Sequence, residues 1–173
     1  MSWSRAGLYS ALLLFLFIIQ ESAVSKINLP ITGFSLYLAV LLGLMASEEN
    51  FGAVVVGFIG GIILDLSPSA DSPFGKWALV LTLVGYVFSL NSESIGDFTD
   101  RPASFVFFIS FGSIATLFTF LCFGVILGEN NGALGHNLVM VFGNAVWTLL
   151  FAPFLLPLTN KWRLLTLTSR ERK

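Results

Sequence analysis

Few residues in this chain could do chemistry. The carboxylate that stands out is Asp65, at the end of the glycine-rich run "GGIILDL", just before a loop that holds Pro68, Pro73 and Gly75. His136 is the only histidine and Cys122 the only cysteine. Neither sits beside a partner of the kind that nucleophilic catalysis needs, which is a nucleophile, a base and an orienting group within hydrogen-bond reach. A zinc site needs three or four ligands, so this pair cannot supply one. No catalytic residue, metal ligand or cofactor-binding motif is assigned. His136 reads as a helix-start or interfacial residue and Cys122 as a small core or lipid-facing one. Asp71, Glu93, Asp97, Asp100 and Glu129 fall in polar breaks and read as solvated charges.

The elements that would position Asp65 are apolar throughout. Of 173 residues 55% are hydrophobic and 11% charged, and mean hydropathy is +0.86. A soluble domain carries about 25% charged residues, so most of this surface is expected to face lipid. The net charge of −1 gives no hint of nucleic-acid binding, which would need a basic patch. Six segments are long and apolar enough to be read as crossings of about 30 Å of hydrocarbon: 6–24, 27–47, 51–67, 74–90, 103–128 and 136–158, followed by a basic tail over 159–173. They predict an all-α integral membrane protein with a single polytopic domain of six transmembrane helices. The breaks "SKINLP", "SEEN", "SPSADSPFGK", "NSESIGDFTDRP" and "GENNGALGH" have the composition of interfacial turns. The first segment, with "AVS" after its apolar run, also resembles a secretory signal peptide; retention as an anchor is the expectation for a polytopic chain.

With the N-terminus in the cytoplasm, Arg5, Arg101, Lys161, Arg163, Arg170, Arg172 and Lys173 fall inside and only Lys26 and Lys76 outside. That bias of seven to two favours both termini in the cytoplasm. Trp3, Trp77 and Trp162 lie near the interfaces, where aromatic anchors belong.

Gly57, Gly61 and Asp65 recur every fourth residue and line one helix face. Glycines so spaced let a second helix approach closely, which is how membrane helices pack without a hydrophobic drive. Asp65 continues that stripe. It stands at the C-terminal end of its helix, where the dipole opposes a carboxylate. It has three readings: an acceptor for amides of the 67–75 loop, part of a helix-packing or partner-binding face, or a ligand contact. In the last span Met140, Asn144, Thr148 and Ala152 form a similar stripe, with Asn144 deep in the apolar run and in need of a partner. Pro153 is expected to kink that helix. Ser113, Thr116 and Thr119 are expected to bond to their own helix backbone.

The stretch "GFIGGIILDL", a short Pro/Ser loop and "PFGKWALVLTLVGYV" together resemble the signature region of the MreD family of rod-shape-determining membrane proteins. The match covers about residues 55–87, through residues 57–61, Asp65, Leu66, Gly75, Leu79, Gly85 and Tyr86. The size, the six apolar segments and the basic tail are also similar. The resemblance implies a non-enzymatic scaffold of the bacterial cytoplasmic membrane that supports cell shape and lateral peptidoglycan synthesis. Its partners would be MreC, directly through the membrane, with RodA, a class B penicillin-binding transpeptidase and MreB in the same assembly. MreC's transmembrane helix would be a natural occupant of the glycine-lined face, so the partner-binding set expected here is Gly57, Gly61, Asp65, Gly75, Gly85, Tyr86 and Asn144. The family's fold is regarded as similar to the six-helix substrate-binding subunits of energy-coupling-factor (ECF) importers. A vitamin-type binding subunit is therefore the alternative. Gly7 and Ala11 would be its coupling pair, and Asp65, Asn144 and Tyr86 a thin set of pocket groups.

Overall fold

The structure, a computed structural model, describes residues 3–22, 34–48, 51–67, 72–95, 102–129, 132 and 134–166. Asp71, Asp97, Asp100, Lys26, Arg101 and residues 167–173 lie outside them. The described residues form six helices: α1 (Trp3–Ser22), α2 (Leu36–Ser47), α3 (Gly52–Asp65), α4 (Lys76–Ile95), α5 (Pro102–Ile126) and α6 (Leu134–Thr166). The chain is all-helical over these residues. The helical stretches of α1, α5 and α6 that are long and apolar enough to cross a membrane run Arg5–Ser22, Pro102–Ile126 and Gly135–Leu155. Shorter apolar stretches are Leu36–Ser47, Gly52–Asp65 and Lys76–Asn91.

Boundaries moved where local chemistry overrode hydropathy. The second helix starts at Leu36 rather than residue 27, because the Ser35 hydroxyl caps it by accepting from the Leu38 amide at 3.1 Å. Part of that expected segment, residues 27–33, lies outside the described residues. The last helix continues through Pro153 and Pro157 to Thr166, so the first half of the expected tail is helical.

Sequential helices run antiparallel, and α2 is the hub. Every residue from Tyr37 to Met45 is buried, a pattern expected of a helix that is apolar all round and wrapped by neighbours. Around it Tyr9, Leu13, Val56, Leu81, Phe105 and Ile109 complete the core. The Tyr37 hydroxyl donates to the Gly60 carbonyl at 2.9 Å, and its ring meets Phe17 edge-on at 6.1 Å. The outer face is also apolar: Phe107, Phe111, Phe118, Phe142 and Phe154 are all exposed. Facing hydrocarbon, such residues would gain nothing by burial, and close packing and hydrogen bonds would hold the helices together.

Candidate functional site

The stripe singled out in the sequence is a seam between α3 and α4. A Cβ at Gly61 would sit 2.6 Å from the Trp77 carbonyl oxygen and still closer to the Ala78 Cα. One at Gly57 would overlap the Leu81 carbonyl oxygen, and one at Gly85 would lie 2.6 Å from the Ala53 carbonyl oxygen. These contacts are with backbone, which cannot swing aside. The register is regular: Ala53 faces Gly85, Gly57 faces Leu81 and Gly61 faces Ala78.

Asp65 closes this zipper. Its Oδ1 accepts from the Trp77 amide at 3.0 Å and its Oδ2 from the Ala78 amide at 2.9 Å. A helix start leaves its first amides without intrahelical acceptors. In α4 the residue before the helix is Gly75, which has no side chain to offer. Pro73 accepts from the Lys76 amide at 3.2 Å, and the Gly75 carbonyl accepts from Leu79 at 2.9 Å. Asp65 accepts the two amides between, and its charge sits at the favourable end of the α4 dipole. The acceptor reading of Asp65 therefore needs correcting in its donors: they belong to the first turn of α4, not to the 67–75 loop. Gly75 itself has φ +94°, a left-handed conformation that favours glycine.

The expectation of an incoming partner helix on the glycine face is corrected by the same geometry, since α4 fills that face. Tyr86 lies outside the seam, half exposed on α4. Asn144 belongs to another seam. Its Oδ1 accepts from the Ser113 hydroxyl of α5 at 2.6 Å and from Thr148 at 3.1 Å, deep between α5 and α6. Ser113 thus bonds across helices rather than to its own backbone, while Thr116 bonds to the Gly112 carbonyl at 2.7 Å as expected. Asp65, Asn144 and Tyr86 do not converge, and Gly7 and Ala11 are exposed on α1.

Beside Asp65 lies a second contact at the α4 start. Lys76, almost wholly buried, pairs with Glu129 at the end of α5 and lies 3.7 Å from the Phe120 ring centroid. Trp77 stacks on Phe120 at 4.1 Å. Glu129 is therefore an ion-pair partner and not the solvated charge its loop position suggested.

At the opposite end of the bundle stands a constellation that sequence reading missed. Glu48, buried just past α2, pairs with buried Arg5 of α1 at 2.7 Å and accepts from the Tyr9 hydroxyl. A Cβ at Gly52 would lie 2.5 Å from Glu48 Oε2, so a glycine makes room for the carboxylate. The other end of α1 is tied as well: Gln20 Oε1 accepts from the Leu36 amide at 3.0 Å. Helix α1 is thereby integrated into the bundle at both ends.

Among the apolar clefts at the surface of the described residues, two lie between helices around α4 and α5. One of about 530 Å³ lies between α4 and α5, lined by Leu83, Val87, Phe88, Phe111 and Gly112 among others. The second, about 250 Å³, lies between α4, α5 and α6 beside Trp77, Phe120 and Asn137. Among the described residues no three His, Cys, Asp or Glu side chains gather as a metal site. His136 and Cys122 are both exposed. Comparison with known proteins returns no matching family model, no matching curated protein and no matching solved structure.

Proposed function

We propose that this chain is an MreD-like, non-enzymatic scaffold of the bacterial cytoplasmic membrane, with six crossings and both termini in the cytoplasm. In this reading it holds MreC and supports RodA with its class B penicillin-binding transpeptidase, in an assembly that includes MreB, to maintain cell shape and lateral peptidoglycan synthesis. The observation that carries the proposal is the segment from Gly57 to Tyr86. It resembles the family signature, and its glycines and Asp65 act as structural devices that fix one helix on another. That is the work expected of residues in a scaffold.

The geometry alters how MreC would be held. With the α3 glycine face filled by α4, the MreC helix must use another surface, and Gly61 and Asp65 would act on it only through the α3–α4 hairpin. The test is affinity purification of the tagged protein from its native membranes in mild detergent, followed by mass spectrometry. Enrichment of MreC, with RodA and its transpeptidase, supports the scaffold. Enrichment of an ATPase pair with a membrane coupling subunit overturns it in favour of an importer subunit.

A further inference from the structure

Two layers of paired polar groups mark the ends of the α1–α3 side of the bundle. At one end Arg5 of α1 pairs with Glu48, just past α2, at 2.7 Å, and Gly52 opens α3 beside that carboxylate. At the other end the Ser67 hydroxyl, just past α3, donates to Glu21 of α1 at 3.3 Å, and Asp65 accepts the Trp77 and Ala78 amides. Lys76 and Glu129 pair at that same end, so α4 starts and α5 finishes level with it.

Between these layers α1 rises about 24 Å from Arg5 to Glu21, and the 14 residues of α3 rise about 21 Å. Both fall short of a hydrocarbon core about 30 Å thick. On the other side of the bundle the 25 residues of α5 rise about 37 Å, and the apolar stretch Gly135–Leu155 of α6 about 31 Å. The step lies at the Arg5–Glu48 end. Gly112 of α5 packs on Phe88, just past the Gly85 that faces Ala53, so Phe111 stands level with Phe51 at the start of α3. Beyond that level α5 continues to Pro102.

Short length has no consequence for α2, which protein encloses. It has one for α3, where Phe51, Phe58 and Leu66 are exposed from one end to the other. Tilt does not extend a short span; it only reduces its reach across the bilayer. Snorkelling needs a long side chain free to turn outward. Arg5 and Lys76, the basic residues at the two ends, are instead buried against their carboxylates. Thinning of the adjoining bilayer is the accommodation that remains to lipid on this flank.

We propose that the α1–α3 flank binds a locally thinned annulus of phospholipid, with hydrocarbon about 21–24 Å thick, while the α5–α6 flank meets bilayer of ordinary thickness. The inference rests on reading α1 and α3 as membrane crossings and on no partner protein.

The test uses the full chain, one copy per nanodisc of dioleoyl-phosphatidylcholine, so that neither a second copy nor short-chain lipid accounts for the result. In a Cys122→Ser background, spin labels are introduced through Phe51→Cys, Phe58→Cys or Phe111→Cys, all at exposed positions. Electron paramagnetic resonance reads depth from collisions with oxygen, which concentrates in hydrocarbon, against those with a nickel chelate, which stays in water. The Phe51 label should lie about 6–9 Å shallower than the Phe111 label, the difference between the two thicknesses, with Phe58 deep in hydrocarbon. If Phe51→Cys fails to fold, Leu8→Cys, exposed on α1 and nearly one turn inward from Arg5, should also read shallower than Phe111, whereas a flat bilayer places it deeper. Equal depths at Phe51 and Phe111 overturn the proposal and leave the crossings standing. A Phe58 label open to the nickel chelate overturns the six-crossing reading together with the proposal. Labels at Phe51 and Phe58 shielded from both probes mark a flank closed by protein rather than lipid, and also overturn it.

Discussion

The hairpins α3–α4 and α5–α6 solve one problem in opposite ways. In α3–α4 the helices touch through backbone, with Gly57, Gly61 and Gly85 at the contacts and Asp65 accepting amides at the end. In α5–α6 the contact includes side chains, and its buried polar centre is the Ser113–Asn144–Thr148 cluster. Close backbone approach leaves no freedom to adjust, whereas side-chain contacts can repack. The first hairpin should therefore be brittle to small changes and the second tolerant.

The largest expected effect is at Gly61. Leu there must force α3 from α4, because the Cβ alone already overlaps backbone. Overpacking of this kind costs about 3 kcal/mol or more, which lowers the melting temperature in detergent by roughly 10 °C. Thermal unfolding followed by tryptophan fluorescence reads it, and a melting point within 2 °C of wild type, as an order-of-magnitude margin, would remove the brittleness argument. Next comes Asp65→Ala, which leaves two amides without acceptors and removes a charge from the α4 dipole. Its cost should be about 2 kcal/mol, with Asp65→Asn losing roughly half as much. Hydrogen exchange sharpens this prediction, since protection should fall at Trp77 and Ala78 first. Gly75→Ala comes third, at about 1 kcal/mol for a Cβ in a left-handed conformation. The smallest effect is Ser113→Ala, about 0.6 kcal/mol, because Asn144 keeps its bond from Thr148. Were Ser113→Ala to cost as much as Gly61→Leu, the contrast between the hairpins would fail.

Much of α3–α4 was legible in the sequence because its determinants are local. A glycine every fourth residue followed by an acid on the same face is visible in "GFIGGIILDL". The partners of Asp65 were not visible, since backbone amides carry no residue signature. The Arg5–Glu48–Tyr9 cluster was less legible still. Arg5 looks like a topogenic flank, Tyr9 belongs to an apolar run, and Glu48 lies in a turn-like "SEEN". Only the antiparallel course of α1 and α2 brings them together, as it does Lys76 and Glu129 for α4 and α5. Hydropathy located the six helices of the described residues but misjudged the start of α2, where the Ser35 cap decided, and the end of α6, where tertiary contacts at Thr159 and Trp162 carry the helix past two prolines.

The Arg5–Glu48 pair also imposes an order in time. The two residues are 43 positions apart. At 5–20 residues per second, roughly 2–9 s of synthesis separate them. Throughout that interval Arg5 has been made and the carboxylate that neutralises it has not, so α1 cannot settle into its final place while it is the newest helix. Assembly of this bundle therefore closes backwards, with the first helix made among those that cannot lock until a later one arrives.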